Sequence, residues 1–149
     1  MFRGQFVHSI DAKGRISLPA RLRETVVRDG QTRVVVTPAA FDPCLHVYPL
    51  GAWEAFEERI AELPSMDPHI VRFRRLYVSA AVECELDKAN RILVPPLLRE
   101  KADLHKEALW AGVGRFIELW SKPRFDQVMQ ISAEEQEVFR QAILEQVRI

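Results

Sequence analysis

A fifteen-residue segment occurs twice in this chain, and the repeat constrains the fold more than any other feature. Residues 9–23 read SIDAKGRISLPARLR, and residues 85–99 read ELDKANRILVPPLLR. The identical pairs are Asp11/Asp87, Arg15/Arg91, Ile16/Ile92, Pro19/Pro95, Leu22/Leu98 and Arg23/Arg99. An internal repeat of this kind indicates two copies of one structural unit. Since each half is short for a good core of its own, we predict that the copies interlock into one object with pseudo-two-fold symmetry.

Each copy begins with the signals of two strands joined by a tight turn. Asp11–Gly14 supplies turn residues, and Arg15–Leu18 alternates apolar with polar residues, as a half-buried strand does. Gly14 can adopt a positive φ without steric cost, and its counterpart Asn90 is the next most tolerant residue. We therefore predict a tight hairpin at residues 11–14 and an equivalent turn in the second copy.

Two more strands and a helix follow in each copy. The predicted strands are Arg33–Thr37, Leu45–Tyr48, Ala108–Ala111 and Ile117–Trp120. The first pair is joined by a loop at 38–44 and the second by a tight turn at 112–114. The predicted fold is α+β and mainly β, a small β-barrel closed by both repeats, with flanking helices. The predicted units are a first repeat at 1–63, a linking helix at 64–80, and a second repeat with a C-terminal helix at 81–149.

Helix signals lie between and after the repeats. Asp67 followed by Pro68 predicts a helix start, and the helix should run to about Ser79. Ser132 and Glu135 fit a capping box at the start of a C-terminal helix. Apolar stripes at helical spacing are predicted to be core; they comprise Trp53, Phe56, Ile60 and Leu63, then Phe125, Val128 and Met129, and finally Phe139, Ile143 and Val147.

Composition indicates a cytoplasmic globular protein. Hydrophobic residues make up 48% of the chain, and no apolar run reaches the length of a membrane helix. The first fifteen residues carry early charges and no apolar stretch of signal-peptide type. Cys44 and Cys84 lie far apart without a C-x-x-C motif, so we expect two reduced and partly buried thiols.

The net charge is zero, but the charges are unevenly distributed. Residues 1–40 contain seven Lys or Arg and three acidic residues, a balance of +4. Residues 41–149 contain fourteen basic and eighteen acidic residues, a balance of −4. This asymmetry indicates a basic binding face on an acidic body, although solvated surface charges would give the same counts.

The sequence contains no recognisable catalytic motif. The four histidines are scattered, with neither H-E-x-x-H nor a Cys/His metal spacing, and G-x-S-x-G and phosphate-loop motifs are absent. His46 alternates with Leu45 and Val47, which favours an outward-facing strand position. We therefore expect no catalytic activity, no small-molecule substrate, no cofactor and no metal.

A nucleic-acid interface uses more of the sequence. Lys13 lies at the tip of the first turn and Arg15 just past it. A two-stranded β-ribbon fits the major groove of DNA, where arginine can bind guanine edges and lysine can meet phosphate. Asp11 can hold Arg15 in one rotamer; alternatively, the Asp11–Arg15 and Asp87–Arg91 pairs are salt bridges that only set the turns.

The two copies are not equivalent in this respect. The second copy has Ala89 where the first has Lys13, and Leu97 where the first has Arg21. The first copy is therefore the better candidate for contact with bases. The second copy either serves mainly the barrel or contacts phosphates weakly through Lys88 and Arg91.

Three stretches of the chain resemble the MraZ family, which is related to the AbrB-like swapped-hairpin DNA-binding proteins. They are the opening MFRGQFVHSIDAKGRISLPARLR, the join RRLYVSAAVECELD and the second DKANRILVPPLLR. The resemblance implies two AbrB-like repeats that form one double-split β-barrel. It also implies a nucleoid-associated transcription regulator of the division and cell-wall gene cluster. It also implies a ring-shaped homo-oligomer that binds short direct repeats in double-stranded promoter DNA. The family's D-x-x-x-R motif maps onto Asp11 with Arg15, and onto Asp87 with Arg91.

These observations give one set of candidate site residues and one rival function. The candidate DNA-binding residues are Arg15, Lys13, Arg3, Arg21, Arg23, Arg91 and Lys88. The candidate turn-bracing residues are Asp11, Asp87, Gly14 and Asn90. The rival is a non-enzymatic ring or scaffold that binds a protein partner through its apolar helices.

Overall fold

Eight strands and six α-helices follow one another in the computed structural model, which describes residues 1–149. The strands are β1 (Phe2–Ser9), β2 (Arg15–Ser17), β3 (Arg33–Pro38), β4 (Leu45–Pro49), β5 (Val82–Glu85), β6 (Arg91–Leu93), β7 (Glu107–Gly114) and β8 (Ile117–Ser121). The helices are α1 (Ala20–Val26), α2 (Leu50–Ala61), α3 (Pro68–Phe73), α4 (Pro96–Lys101), α5 (Lys122–Val128) and α6 (Ala133–Val147). A π-helical turn, Arg74–Val78, continues α3. The fold is thus α+β, as predicted.

Strands from both repeats alternate in one six-stranded sheet. Its order is β1-β7-β8-β4-β3-β5, and each neighbouring pair is antiparallel. The counterparts in the two repeats are β1 and β5, β3 and β7, and β4 and β8. When each strand is replaced by its counterpart, the same order is obtained, counted from the opposite edge of the sheet. The first strand of each repeat therefore pairs with a strand of the other repeat, which interlocks the two halves.

Strands β2 and β6 form a separate two-stranded ribbon, so the predicted closed barrel is wrong. The six-stranded sheet is open, with β1 and β5 at its edges. The predicted hairpin at 11–14 is reduced to a single bridge, Ile10 to Ile16, because β2 pairs with β6 and not with β1. Each ribbon strand has only three residues, between a tight turn and a proline, and most of its pairing groups are used within the ribbon. Too few remain to close the sheet.

Both repeats contribute to one main core of 21 buried residues. Ile16 and Ile92, which are partners in the ribbon, both lie in this core, as do Leu22 of α1 and Leu98 of α4. Trp110 of β7 is fully buried beneath them. Identical apolar residues of the two copies thus share a single core instead of filling two separate ones.

The connection between β7 and β8 is shifted from its predicted place. β7 runs through Gly112 to Gly114, and Gly112 pairs with both Gly4 and Ile117. A Cβ on Gly112 would collide with the backbone of Arg3. Gly112 therefore allows β1 to approach β7 closely, and the turn falls at residues 115–116.

The linking helix starts as predicted, with the Asp67 side chain accepting from His69 N at 2.8 Å. Its last turn is a π-helix in which Ser79 N bonds to Arg74 O. This turn buries Tyr77, whose hydroxyl lies 2.7 Å from Nδ1 of His46 and 2.8 Å from the hydroxyl of Tyr48. The helix therefore covers part of the sheet.

His46 is accordingly half-buried and does not face solvent as the alternation predicted. Tyr77 and Phe116 cover its ring, and the Phe116 centroid lies 4.3 Å away. Burial lowers the pKa of His46 to about 4, so the ring is neutral near pH 7.

The predicted apolar stripes differ in their environment. Trp53 of α2 is buried, whereas Leu63 lies beyond the end of that helix and is partly exposed. The capping box of Ser132 and Glu135 is present, yet α6 buries none of its residues. The prediction that Phe139, Ile143 and Val147 form core is therefore wrong, because no other element of this chain covers α6.

Two smaller observations complete the fold. Cys44 and Cys84 are free and buried, and burial raises the pKa of the Cys84 thiol to about 11. None of the helices combines the length and the apolarity that a membrane crossing requires.

Candidate nucleic-acid interface

The first turn is organised by the carboxylate of Asp11. Its Oδ1 accepts from the backbone N–H groups of Lys13 at 3.0 Å and Arg15 at 2.9 Å. Its Oδ2 accepts from Nε of Arg15 at 2.7 Å. The backbone N–H of Gly14 also donates to the Asp11 carbonyl at 2.9 Å. One aspartate thus fixes both the backbone of the turn and the direction of the arginine side chain.

The arginine in this turn keeps its two terminal nitrogens free. Nε of Arg15 is bonded to Asp11, while neither Nη group makes a hydrogen bond within the chain, and the side chain is 35% exposed. The hydrogen bonds from Arg15, first from its backbone N–H, lower the pKa of Asp11 to about 2. Asp11 therefore stays ionised at neutral pH and holds a guanidinium whose outer edge faces solvent.

The second turn repeats this geometry residue by residue. Oδ1 of Asp87 accepts from the backbone N–H groups of Ala89 at 2.8 Å and Arg91 at 3.0 Å. Its Oδ2 accepts from Nε of Arg91 at 2.9 Å, and the backbone N–H of Asn90 donates to the Asp87 carbonyl. The Arg91 hydrogen bonds, again led by the backbone one, lower the pKa of Asp87.

The ribbon joins the two turns at its opposite ends. Arg15 pairs with Leu93, and Ser17 pairs with Arg91. These four residues lie on one face, because Ile16 and Ile92 between them are buried. Arg91 lies two residues along the ribbon from Arg15 and on the other strand. Their Cα atoms are therefore about 8 Å apart. Two arginines thus share the outward face of one short ribbon.

Contacts between the repeats hold the ribbon in place. The Gly14 carbonyl accepts from Val94 N at 2.9 Å, and the Asn90 carbonyl accepts from Leu18 N at 3.0 Å. Nε1 of the buried Trp110 donates to the Ser17 carbonyl at 3.1 Å. Each turn is therefore bonded to the other repeat, and β2 is also bonded to the main sheet.

Arg99 packs against the first turn, a role that we did not predict. A Cβ on Gly14 would lie 2.5 Å from Nε of Arg99, and that nitrogen donates to the Val94 carbonyl at 3.0 Å. The repeat identity of Arg23 with Arg99 was visible in the sequence. The contact was not, because it depends on how α4 packs against the opposite turn.

The other candidate residues fall into two places. Lys13 and Lys88 lie on the turns and are exposed, and Arg23 is half-buried on α1. Arg3 and Arg21 line one cavity of about 360 Å³ together with Glu24. Because Arg3 lies near the start of β1, it is separated from the first turn by about 20 Å of strand. Arg3 and Arg21 thus form a basic patch of their own.

Sequence reasoning also missed an apolar residue on the ribbon face. Leu93 stands opposite Arg15 and is 55% exposed, whereas its counterpart Ser17 is polar. The alternation of β6 hinted at an outward position, but only the register places Leu93 beside Arg15.

The sequence and this geometry agree with one known family. The family model described as "MraZ protein, putative antitoxin-like" matches residues 1–76 and, a second time, residues 77–145. The chain belongs to the MraZ family. Its two matches to one model agree with the two copies of the D-x-x-x-R turn described above.

Curated members of the MraZ family are similar over most of their length. A protein of Azotobacter vinelandii is 46% identical over 122 residues, which are 82% of this chain and 80% of that protein. A protein of Desulfitobacterium hafniense is 46% identical over 82% of both chains. A Pseudomonas fluorescens protein is 42% identical over 86% of this chain and 85% of its own length. All three are named "Transcriptional regulator MraZ".

Proposed function

We propose that this protein is a sequence-specific DNA-binding transcriptional regulator that uses no catalytic step. One observation carries the proposal. The guanidinium of Arg15 is held at Nε by Asp11, while both Nη groups lack a partner on an exposed ribbon face. A ribbon of two strands fits the major groove of B-DNA. The names of the relatives support the same function.

Arg15 reads bases in this proposal, and the neighbouring lysine positions the protein. The two Nη groups can donate in parallel to O6 and N7 of a guanine. Because Asp11 already fixes the side chain, little rotamer entropy is lost on binding. Lys13 meets phosphate as a point charge, and Arg91 and Lys88 add weaker contacts from the second turn.

Several subunits acting together account for binding by a chain of zero net charge. We propose a ring-shaped homo-oligomer of pseudo-two-fold subunits, each built from units 1–63, 64–80 and 81–149. The uncovered apolar residues of α6, among them Phe139 and Val147, support association between copies. Ring subunits that engage successive direct repeats gain affinity through effective concentration. The proposed target is the promoter of the division and cell-wall gene cluster, bound in the nucleoid.

A footprint on the DNA upstream of the protein's own operon tests this function. We expect protected boxes at a regular period, which weaken steeply as salt rises because counterions are released on binding. Unrelated DNA of equal length is the control. Equal protection of both DNAs, or none at moderate salt, contradicts sequence-specific regulation.

The exposed face of α6 also favours a second candidate, a scaffold that binds a protein partner. The two functions differ in what the ribbon does. A scaffold keeps its partner when Arg15 is replaced, whereas a promoter-binding regulator loses its DNA.

A further inference from the structure

Strands β4 and β8 bring a thiol, an imidazole and a carboxylate together on the face of the sheet opposite the main core. His46 pairs directly with Glu118, and Cys44 lies two residues before His46 on the same face. One ligand atom from each of the three lies within 4.8 Å of the other two. Their strand neighbours Leu45 and Leu119 point the other way, into the main core.

Neighbouring side chains already orient two of these groups. Nδ1 of His46 lies 2.7 Å from the Tyr77 hydroxyl, which leaves Nε2 without a hydrogen-bond partner. Oε2 of Glu118 accepts from Nε1 of Trp120 at 2.7 Å, which leaves the other oxygen free. Metal-binding histidines commonly bond their second nitrogen to a polar group in this way. Each side chain thus keeps one ligand atom available.

The charge of the cluster also favours a cation. Glu118 is half-buried and forms no ion pair within the chain, and Asp42 lies close enough to act electrostatically on Cys44 and His46. Asp42 and Cys44 line a cavity of about 270 Å³ together with Lys101. Cys44 thus borders this cavity, and a bound cation would offset the negative charge of the half-buried Glu118.

We propose that Cys44 Sγ, His46 and Glu118 bind one Zn²⁺, with water in the fourth position. Sulfur, nitrogen and oxygen together are a donor set that suits Zn²⁺. Bond lengths of about 2.0–2.3 Å at tetrahedral angles separate ligand atoms by about 3.3–3.8 Å. The observed separations, none above 4.8 Å, exceed these values by at most about 1.5 Å. The Cys44 thiol gives its proton to solvent as the Zn–S bond forms, and no oxidant or reductant is needed.

This ion would bridge the two repeats at the junction of β4 and β8. That junction has only three paired positions, from Leu45 with Leu119 to Val47 with Ile117. The sequence predicted no metal because these three residues do not have a metal-ligand spacing along the chain. Glu118 joins the cluster only because β8 pairs with β4. None of the three ligands belongs to the ribbon strands β2 and β6.

Titration of the reduced, chelator-treated full-length protein with Co²⁺ tests the site. We expect one equivalent to bind with an absorption band from thiolate to cobalt, and Zn²⁺ to displace it. Cys44→Ser should abolish the band. Cys84→Ser is the matched control, because Cys84 is also buried but lies outside the cluster, and it should leave the band unchanged.

Two further variants keep the test decisive if Cys44→Ser folds poorly. Glu118→Gln keeps an acceptor for Trp120 and should weaken Co²⁺ binding at least tenfold. Tyr77→Phe removes only the hydroxyl beside His46 and should weaken it by about 10–100-fold. Absence of saturable binding, a band that survives Cys44→Ser, or equal affinity in Glu118→Gln would overturn the site.

Discussion

The two D-x-x-x-R turns have the same skeleton and different surfaces. In both, one aspartate accepts two backbone N–H groups and one arginine Nε, with bonds of 2.7–3.0 Å. The first turn ends in Gly14 at φ 89°, beneath Arg99, whereas the second ends in Asn90 at φ 59°. The shared residues build the turn. The differing residues decide what each turn can touch.

Replacement of Arg15 in the first turn should cause the largest loss of DNA binding. Arg15→Ala removes about 1–3 kcal/mol of base discrimination for each engaged subunit, so specific promoter binding should disappear in a gel shift. The size of the proposed oligomer and the thermal stability should stay near wild type, because a partly exposed ion pair contributes little.

Two arginines serve as controls for that variant. Arg33→Ala removes an exposed, ion-paired arginine from β3, away from the ribbon, and should leave binding intact. Arg91→Ala should weaken binding less than Arg15→Ala does. If Arg15→Ala unfolds the protein or dissociates the proposed oligomer, the ion pair is structural and the first turn does not read bases.

Gly14→Asn in the first turn and Asn90→Gly in the second should change the stability of the protein by different amounts. Gly14→Asn places a Cβ against Arg99 at a φ that favours glycine, and we expect a loss of about 1–3 kcal/mol in urea unfolding. Asn90→Gly should change stability by less than about 1 kcal/mol. A Gly14→Asn protein as stable as wild type would show that Arg99 moves freely and does not hold the first turn.

Lys13 should have a smaller effect, visible mainly in the salt dependence. Lys13→Ala should reduce the slope of log K against log salt by about one and weaken all DNA sequences alike. Fluorescence anisotropy at several salt concentrations measures this slope. Lys101→Ala, an exposed lysine at the end of α4, is the control and should keep the wild-type slope. A wild-type slope in Lys13→Ala would remove Lys13 from the interface.

Acid should lower the stability of the protein slightly by protonating Asp11 in the first turn, which is the smallest effect that we predict. The folded pKa of Asp11, about 2, is below its usual value of 3.8. Its contribution to stability is therefore present above about pH 4 and is lost as the pH falls through about 2. Unfolding midpoints of wild type and Asp11→Asn should converge over this range. If the midpoints of the two proteins still differ by the same amount at pH 2, ionised Asp11 does not stabilise the first turn.

Local features of the fold could be predicted from the sequence to a large extent. The turn at 11–14, the start of α3 at Pro68 and the capping box of α6 depend on hydrogen bonds between residues a few positions apart. Failures appeared where distant segments decide the outcome. The closed barrel was wrong because β2 pairs with β6, and the turn at Gly112 was wrong because β1 needs that glycine as a neighbour.

The sequence by itself determined the two braced turns, their arginines and the repeat that relates them. Only the tertiary structure decided that Leu93 stands beside Arg15, that Arg99 rests on Gly14, and that Glu118 meets His46. The physical reason is the range of the interactions. Within a tight turn an aspartate reaches an arginine four residues away whatever the rest of the chain does, but strand register is set by contacts across the whole core.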